Sequence, residues 1–429
     1  MGISKESRYP LVHGFELSLE ERDRRWAAAR EQMRAHGLSA LVVSGFHSIL
    51  YEGQAAQRWF TNLDIEGYLI FPLEGEPTHY GFTPKPRISR LDGVWVSDCR
   101  SGFPSFGQSL IDGLTDRGIV EGKVGVLSIG GVFGEYAGFP YVTLEALKTG
   151  LPKIEFEDSI DWFALLRRIK SAEEIHCYDI AGEIAESVFD AVYETAVEGA
   201  TDAEIRAAIS AARIRGGCEP HSTSFYSQGP DVSPILSSGL LTEPGYANRL
   251  APGDLITAEI TLRVNGYEVE FNQTWALEPI DEELERMFEV WKASFEAGLA
   301  TLRPGIDQKE LQAAMQAPLD EAGFTWFYPF FHGSGLLDEP PAANVRVSNF
   351  SDGREIERPY APVVFEENMT LIFEPSIVTK ERWGDDPDLP WTPKRGFSMG
   401  CPVVVTADGC RPLVGDWWKP GVIRLRSEA

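Results

Sequence analysis

A chain of 429 residues is too long for one small core and suits two domains. Its hydrophobic content of 43% is that of an ordinary globular protein, and the lack of any run of about 18 apolar residues excludes a membrane span. The formal charge of −26 excludes nucleic acid and an anionic membrane surface as partners and leaves a cationic small molecule unrepelled.

In chain order, SLEERDRRWAAAREQMRAHGL has the pattern of an amphipathic helix. Ser18 is placed to cap it, Glu21 to complete a capping box, and Gly37 to end it. SALVVSG, GYLIFPL and KVGVLSIGG are short apolar runs of strand type bounded by turn residues. Helices alternating with such strands predict an α/β domain over residues 1–160, with a second domain over 161–429. The five cysteines, Cys99, Cys177, Cys218, Cys401 and Cys410, are scattered and lack CxxC spacing, so neither a disulfide framework nor a zinc ribbon is expected. The opening segment has no apolar core of the secretory kind, and a cytoplasmic location is expected.

The second domain carries an internal repeat. GATDAEIRAAISAARIRGG begins at Gly199 and GIDQKELQAAMQAPLDEAG at Gly305, an offset of 106 (305 − 199). Each copy is a helix started and stopped by glycine, and each is followed by aromatic sequence, PHSTSFYSQG or WFYPFFHGSG. Two such units predict a pseudo-twofold domain with a ligand cleft where the halves meet. Beyond the repeat, four residues stand out. Glu259 and Glu270 lie eleven apart in GDLITAEITLRVNGYEVEFNQTWAL, His332 opens HGSGLLDEPP, and Glu374 sits in MTLIFEPS. In RGFSMGCPVVVTADG the chain has Gly400.

These motifs carry a resemblance. RRIKSAEEIHCYDIAGEIAESVFDAV resembles the helix that opens the catalytic domain of the creatinase/prolidase/methionine aminopeptidase superfamily. GDLITAEI, GYEVEFNQTWAL, HGSGLLDEPP, MTLIFEPS and CPVVVTADG fall in the family's order and at about its spacing, so the resemblance covers nearly the whole chain. It implies an α+β fold: a pita-bread catalytic domain, pseudo-symmetric with helices outside a curved antiparallel sheet, after a smaller α/β N-terminal domain. It also implies a homodimer acting on a small-molecule substrate. In the family's metallopeptidases, two Asp, one His and two Glu hold a pair of divalent ions. Carried over, Glu259 and Glu270 stand at the Asp positions, His332 and Glu374 at the His and first Glu positions, and Gly400 at the bridging Glu.

A metal pair about 3.5–4 Å apart needs bridging carboxylates. Gly400 has no side-chain oxygen. Lengthening Asp to Glu moves a carboxylate by roughly 1.5 Å, against a tolerance of about 0.2 Å in ligand distance. No metal and no cofactor is therefore expected, with a single ion on Glu270, His332 and Glu374 as the alternative. Crowded carboxylates without metal cannot all ionise cheaply, which supplies both an ionised and a protonated group for hydrolysis. The resemblance to creatinase and ectoine hydrolase then implies metal-independent cleavage of a C–N bond in a small cationic or zwitterionic compound. Glu259 is the expected nucleophile or general base and His332 the proton carrier. Glu270 and Glu374 would bind a cationic group and tune His332.

Tyr328 and Phe330, in an aromatic run expected to alternate across a strand, are candidate substrate contacts. His221, Tyr226 and Asp338 are further candidates. Creatinase has a histidine where this chain has Leu236, which counts against creatine itself. Trp391 or Arg395, in the loop GDDPDLPWTPKRG, would cover the site. Three rival activities stay open: an Xaa-Pro peptidase-like metallohydrolase, a β-elimination lyase using Asp338 as base, and a non-catalytic peptide- or histone-binding module.

Overall fold

The computed structural model of the protein describes residues 12–45, 52–62, 66–82, 95–127, 139–219, 223–225, 249–326, 329–336, 338–342, 363–380, 395–415 and 423–425. The chain divides into two compact units, Met1–Glu173 and Glu174–Ala429. Among the described residues no helix is long and apolar enough to cross a membrane.

In the first unit α1 (Leu19–His36) is followed by β1 (Leu38–Ser44), α2 (Glu52–Thr61), β2 (Tyr68–Pro72), β3 (Thr78–Gly81) and β4 (Asp98–Ser101). Then come α3 (Phe106–Asp116), β5 (Gly122–Leu127), α4 (Tyr141–Gly150), β6 (Ile154–Asp158) and α5 (Ile160–Arg167). One six-stranded sheet runs β4-β3-β2-β1-β5-β6. Central β1 pairs antiparallel with β2 and parallel with β5. Its unbroken run Ala40–Val43 is fully buried, as expected of a strand covered on both faces.

Helix α1 buries Trp26, Ala29 and Met33 at helical spacing. It ends at Gly37, whose left-handed φ of 70° lets its N–H reach the Met33 and Arg34 carbonyls. The expected capping box at its start forms only in half. Ser18 Oγ accepts from the Glu21 N–H at 3.1 Å, but the Ser18 N–H donates to Glu173 at 2.7 Å. The Glu21 carboxylate is taken instead by Arg24 and Arg25, both at 2.7 Å. Charge-assisted bonds to guanidinium outcompete one to a neutral backbone N–H.

The second unit begins with α6 (Ala172–Thr195), α7 (Asp202–Gly216), β7 (Thr223–Phe225), β8 (Leu255–Val264) and β9 (Tyr267–Leu277). It continues with α8 (Glu282–Thr301), α9 (Gln308–Ala322), β10 (Phe331–Ser334), β11 (Asp338–Ala342), β12 (Thr370–Phe373) and β13 (Ser376–Val378). It ends with β14 (Gly396–Ser398), β15 (Cys401–Val405), β16 (Cys410–Pro412) and β17 (Ile423–Leu425). Two larger sheets result, β17-β9-β8-β7 and β11-β10-β12-β15-β16, with β13-β14 as a separate pair.

The repeat is real in three dimensions. Helices α7 and α9 both end on a left-handed glycine, Gly217 (φ 89°) and Gly323 (φ 80°). Their N-caps, Thr201 and Asp307, keep the offset of 106 and form equivalent bridges to Arg249 and Val364. Downstream the offset becomes 115 (364 − 249) and holds again where Glu219 bridges Arg263 and Thr325 bridges Val378. Gly199 N–H to Leu250 O and Gly305 N–H to Phe365 O are both 2.9 Å. Strand pairing follows the same rule: Phe225 opposes Ala258, and Phe331 opposes Phe373.

Each half turns one sheet face to helices. In β8 and β9, Ala258, Ile260, Leu262, Val269, Phe271 and Trp275 alternate with Thr257, Glu259, Thr261, Glu270, Asn272 and Thr274. The apolar set faces α6, where the Phe189 ring lies 5.9 Å from Phe271 and 6.5 Å from Trp275. In the other half Phe373 meets Phe295 of α8 at 6.0 Å. The polar set is thereby turned to the opposite face.

Candidate functional site

The site grows out of that alternation. Pairing across β8 and β9 sets Glu259 opposite Asn272 and Thr261 opposite Glu270, so all four share a face. Strand β10 sets His332 opposite Ile372, two residues before Glu374. The 115 offset makes Glu259 and Glu374 equivalent positions in the two halves. Asn272 and Gly400 stand opposite them and are likewise equivalent. Reciprocal hydrogen bonds join that last pair, Asn272 N–H to Gly400 O at 3.1 Å and Gly400 N–H to Asn272 O at 2.6 Å. The two halves therefore meet at Asn272 and Gly400.

At this seam three of the four sequence candidates come together. His332 Nε2 lies 3.4 Å from Glu374 Oε1 and 3.9 Å from Glu270 Oε2. Ligand atoms of Glu270, His332 and Glu374 all fall within 4.8 Å of one another. His332 is 7% exposed, and its Nδ1 lies 3.1 Å from the Gly333 carbonyl oxygen. Behind it, Ser334 Oγ donates to Glu268 O at 2.8 Å, and Thr370 Oγ1 to Ser334 O at 2.6 Å. These bonds fix the strand that presents the imidazole. Glu259, half-buried on the same face, stands outside the tight group of three.

Sequence reasoning missed Asn272. Its Nδ2 donates to Glu270 Oε1 and to Glu374 Oε2, both at 2.8 Å, and the residue is 4% exposed. One amide thus joins carboxylates from both halves. The signal was present: in GYEVEFNQTW, Asn272 has the same strand parity as Glu270 and must share its face.

The other candidates fare differently. Phe330 is fully buried, its ring 5.2 Å from Trp326, and it precedes β10 rather than lying in a strand. Pro329, beside it, has no N–H to donate to a ladder, and β10 starts at Phe331. Asp338 stands in β11 opposite Ser334, with only its backbone described. Tyr328, His221, Tyr226, Leu236 and Trp391 lie outside the described residues. Arg395 is occupied by Asp281 at 2.7 Å and Glu283 at 3.0 Å. All five cysteines are free, and burial pushes the Cys218 and Cys410 thiols up to about 12, which leaves them poor nucleophiles.

A two-ion centre does not fit these residues. A Cβ at Gly400 would lie 3.0 Å from both Glu374 Cβ and the Phe373 carbonyl oxygen and 3.2 Å from Asn272 Cβ. The seam itself presents the Asn272 N–H groups, which donate hydrogen bonds and cannot ligate a cation. A single ion held by Glu270, His332 and Glu374 does fit, because the oxygens that Asn272 leaves over are the ones nearest Nε2.

The sequence pattern of metallopeptidase family M24 matches residues 176–407. Ectoine hydrolase of Halomonas elongata is 23% identical over 414 residues, 90% of this chain and 92% of that protein. An uncharacterized peptidase of Bacillus subtilis is 25% identical over 353 residues, 76% of this chain and 90% of its own. The crystal structure of X-Pro aminopeptidase from Thermotoga maritima matches with a TM-score of 0.71 at 16% identity, covering 94% of this chain and 99% of that one. This likeness is one of fold, an N-terminal domain followed by a pita-bread domain. The chain belongs to metallopeptidase family M24 and is a hydrolase of C–N bonds.

Proposed function

We propose that this hydrolase cleaves a C–N bond in a small cationic or zwitterionic compound by proton transfer, without a bound metal. The observation that carries the proposal is the Asn272 amide between Glu270 and Glu374, at the seam where a metal pair would need a bridging carboxylate. The full-length match to ectoine hydrolase supports the same substrate class.

The chemistry follows from hydrogen-bond roles. The Gly333 carbonyl only accepts, so His332 Nδ1 carries a hydrogen. Nε2 then faces two carboxylate oxygens, Glu374 Oε1 and Glu270 Oε2. With Glu270 and Glu374 both ionised and the protonated carboxyl elsewhere in the site, a proton on Nε2 satisfies both oxygens. His332 is thus charged with the proton that the leaving nitrogen takes as the C–N bond breaks. Glu259, on the same face and outside the cluster, activates the attacking water or attacks the carbon itself. Glu270 and Glu374 keep the surroundings of His332 negative, which suits a cationic substrate.

One observation favours a second reading. Glu270, His332 and Glu374 also have the spacing of a three-ligand site for one ion. Such an ion would supply Lewis acidity and a water acidic enough to attack at neutral pH.

The test is hydrolysis of a panel of ectoine-like cyclic amidines, N-acyl diamino acids and Xaa-Pro dipeptides, with elemental analysis of the same preparation. Activity that survives chelation, in protein without stoichiometric transition metal, is the expected result. Activity lost on chelation and restored by one equivalent of Mn²⁺, Co²⁺ or Zn²⁺ would sink the metal-free mechanism in favour of the second reading. Glu259→Gln should lower turnover at least about 100-fold with the fold intact; an unchanged rate removes Glu259 from the mechanism.

A further inference from the structure

We infer that Asn272 is the positioning residue of this site, and that its amide is the device that keeps a second cation out. The inference deepens the proposed function and rests on it for the identity of the reaction. Three independent features of the seam point the same way.

The first is direction. Asn272 Nδ2 donates to the outer oxygen of each carboxylate, Glu270 Oε1 and Glu374 Oε2 at 2.8 Å. That leaves Glu270 Oε2 and Glu374 Oε1 as the oxygens facing His332 Nε2. A two-pronged donor therefore sets the rotation of both carboxyl groups at once. A variant without the amide loses both of these holds on carboxyl torsions that are intrinsically broad.

The second is location. Glu270 belongs to one half of the unit and Glu374 to the other, and Asn272 pairs with its own equivalent, Gly400, through reciprocal backbone bonds. The amide therefore clamps the two halves beside one of the places where their backbones are bonded, the Glu268 N–H to Gly335 O bond at 2.8 Å being another. At 4% exposure it is shielded from competing water.

The third is exclusion. A side chain at position 400 would start 3.0 Å from Glu374 Cβ and 3.2 Å from Asn272 Cβ, so Gly400 and Asn272 divide one space between them. With an amide filling that space, each carboxylate spends one oxygen on an N–H and retains one for the group at His332. A carboxylate in place of the amide would turn two donated hydrogen bonds into a like-charge cluster, which a further cation relieves where a shared proton does not.

The experiment is titration calorimetry of the full-length protein with Mn²⁺, before and after substitution at this position. The parent and Asn272→Gln should bind at most one Mn²⁺ per chain. Asn272→Asp should bind one more than the parent. Two ions in the parent, or no gain in Asn272→Asp, overturns the exclusion role. Should Asn272→Asp fail to fold, Asn272→Ser decides. With no amide to hold the carboxylates, its kcat should fall at least about 10-fold while KM stays within about twofold, and Asn272→Gln should recover part of the loss. An unchanged kcat, or an equal loss in both variants, overturns the positioning role. Stoichiometry reads this inference and survival under chelation reads the proposed function, so either can fail alone.

Discussion

The two halves of the second unit share a backbone and differ in what they hang on it. Bridges, caps and strand register repeat from one half to the other, down to the 2.9 Å bonds from Gly199 and Gly305. Side chains do not. On the helix side, bulk is traded between equivalent positions: Ala258 with Phe271 and Trp275 in one half, Phe373 with Met399 and Val403 in the other. On the opposite face, Glu259 and Glu374 agree, whereas Asn272 is answered by Gly400. The lesson is that symmetry builds the frame and its breaking builds the site. Two identical side chains cannot occupy the single space at the seam.

The comparison can be broken first in the core. Phe373→Ala and Trp275→Ala, each fully buried against helix-borne rings, should cost about 3–5 kcal/mol apiece in urea unfolding. A much smaller cost for one would mean that the halves do not share the load. Next comes the polar face. If both halves supply chemistry, Glu374→Gln should match Glu259→Gln with a loss of turnover of about 100-fold or more, at unchanged melting temperature. A loss confined to Glu374→Gln would put the chemistry on one half alone.

Smaller effects sharpen the symmetry of the frame. Gly217→Ala and Gly323→Ala each force a Cβ into a left-handed conformation and should each destabilise by about 1–2 kcal/mol. Costs that differ by more than about 1 kcal/mol would show unequal helix ends. Smallest are the N-caps. Thr201→Ala and Asp307→Ala should each cost about 1 kcal/mol in thermal melts. Thr201 makes a full capping box with Glu204, while Asp307 accepts from two backbone N–H groups at 2.8 and 2.9 Å, so similar costs are expected from different bonds.

Much of this frame was legible in one dimension. Local rules governed it: Ser18 and Gly37 delimiting α1, the apolar run of β1, and the glycine-bounded helices of the repeat. The acidic residues and His332 were identifiable from the ordered motifs that carry the family resemblance. The limits lay where a partner from elsewhere in the chain, or a single residue, overrode the local pattern. The capping box at Ser18 gave way to Glu173, 155 residues distant, and Phe330, beside Pro329, lies just outside β10.

Residue order alone decided where helices begin and end, which strand positions alternate, and that two copies of one motif exist. Those properties depend on neighbours within a few positions. Folding decided that Glu259 equates with Glu374, that Asn272 meets Gly400, and that a single amide links Glu270 to Glu374 over a separation of 102 residues from Asn272. Hydrogen bonds of 2.8 Å between distant segments depend on how two sheets meet. No periodicity along the chain encodes that meeting.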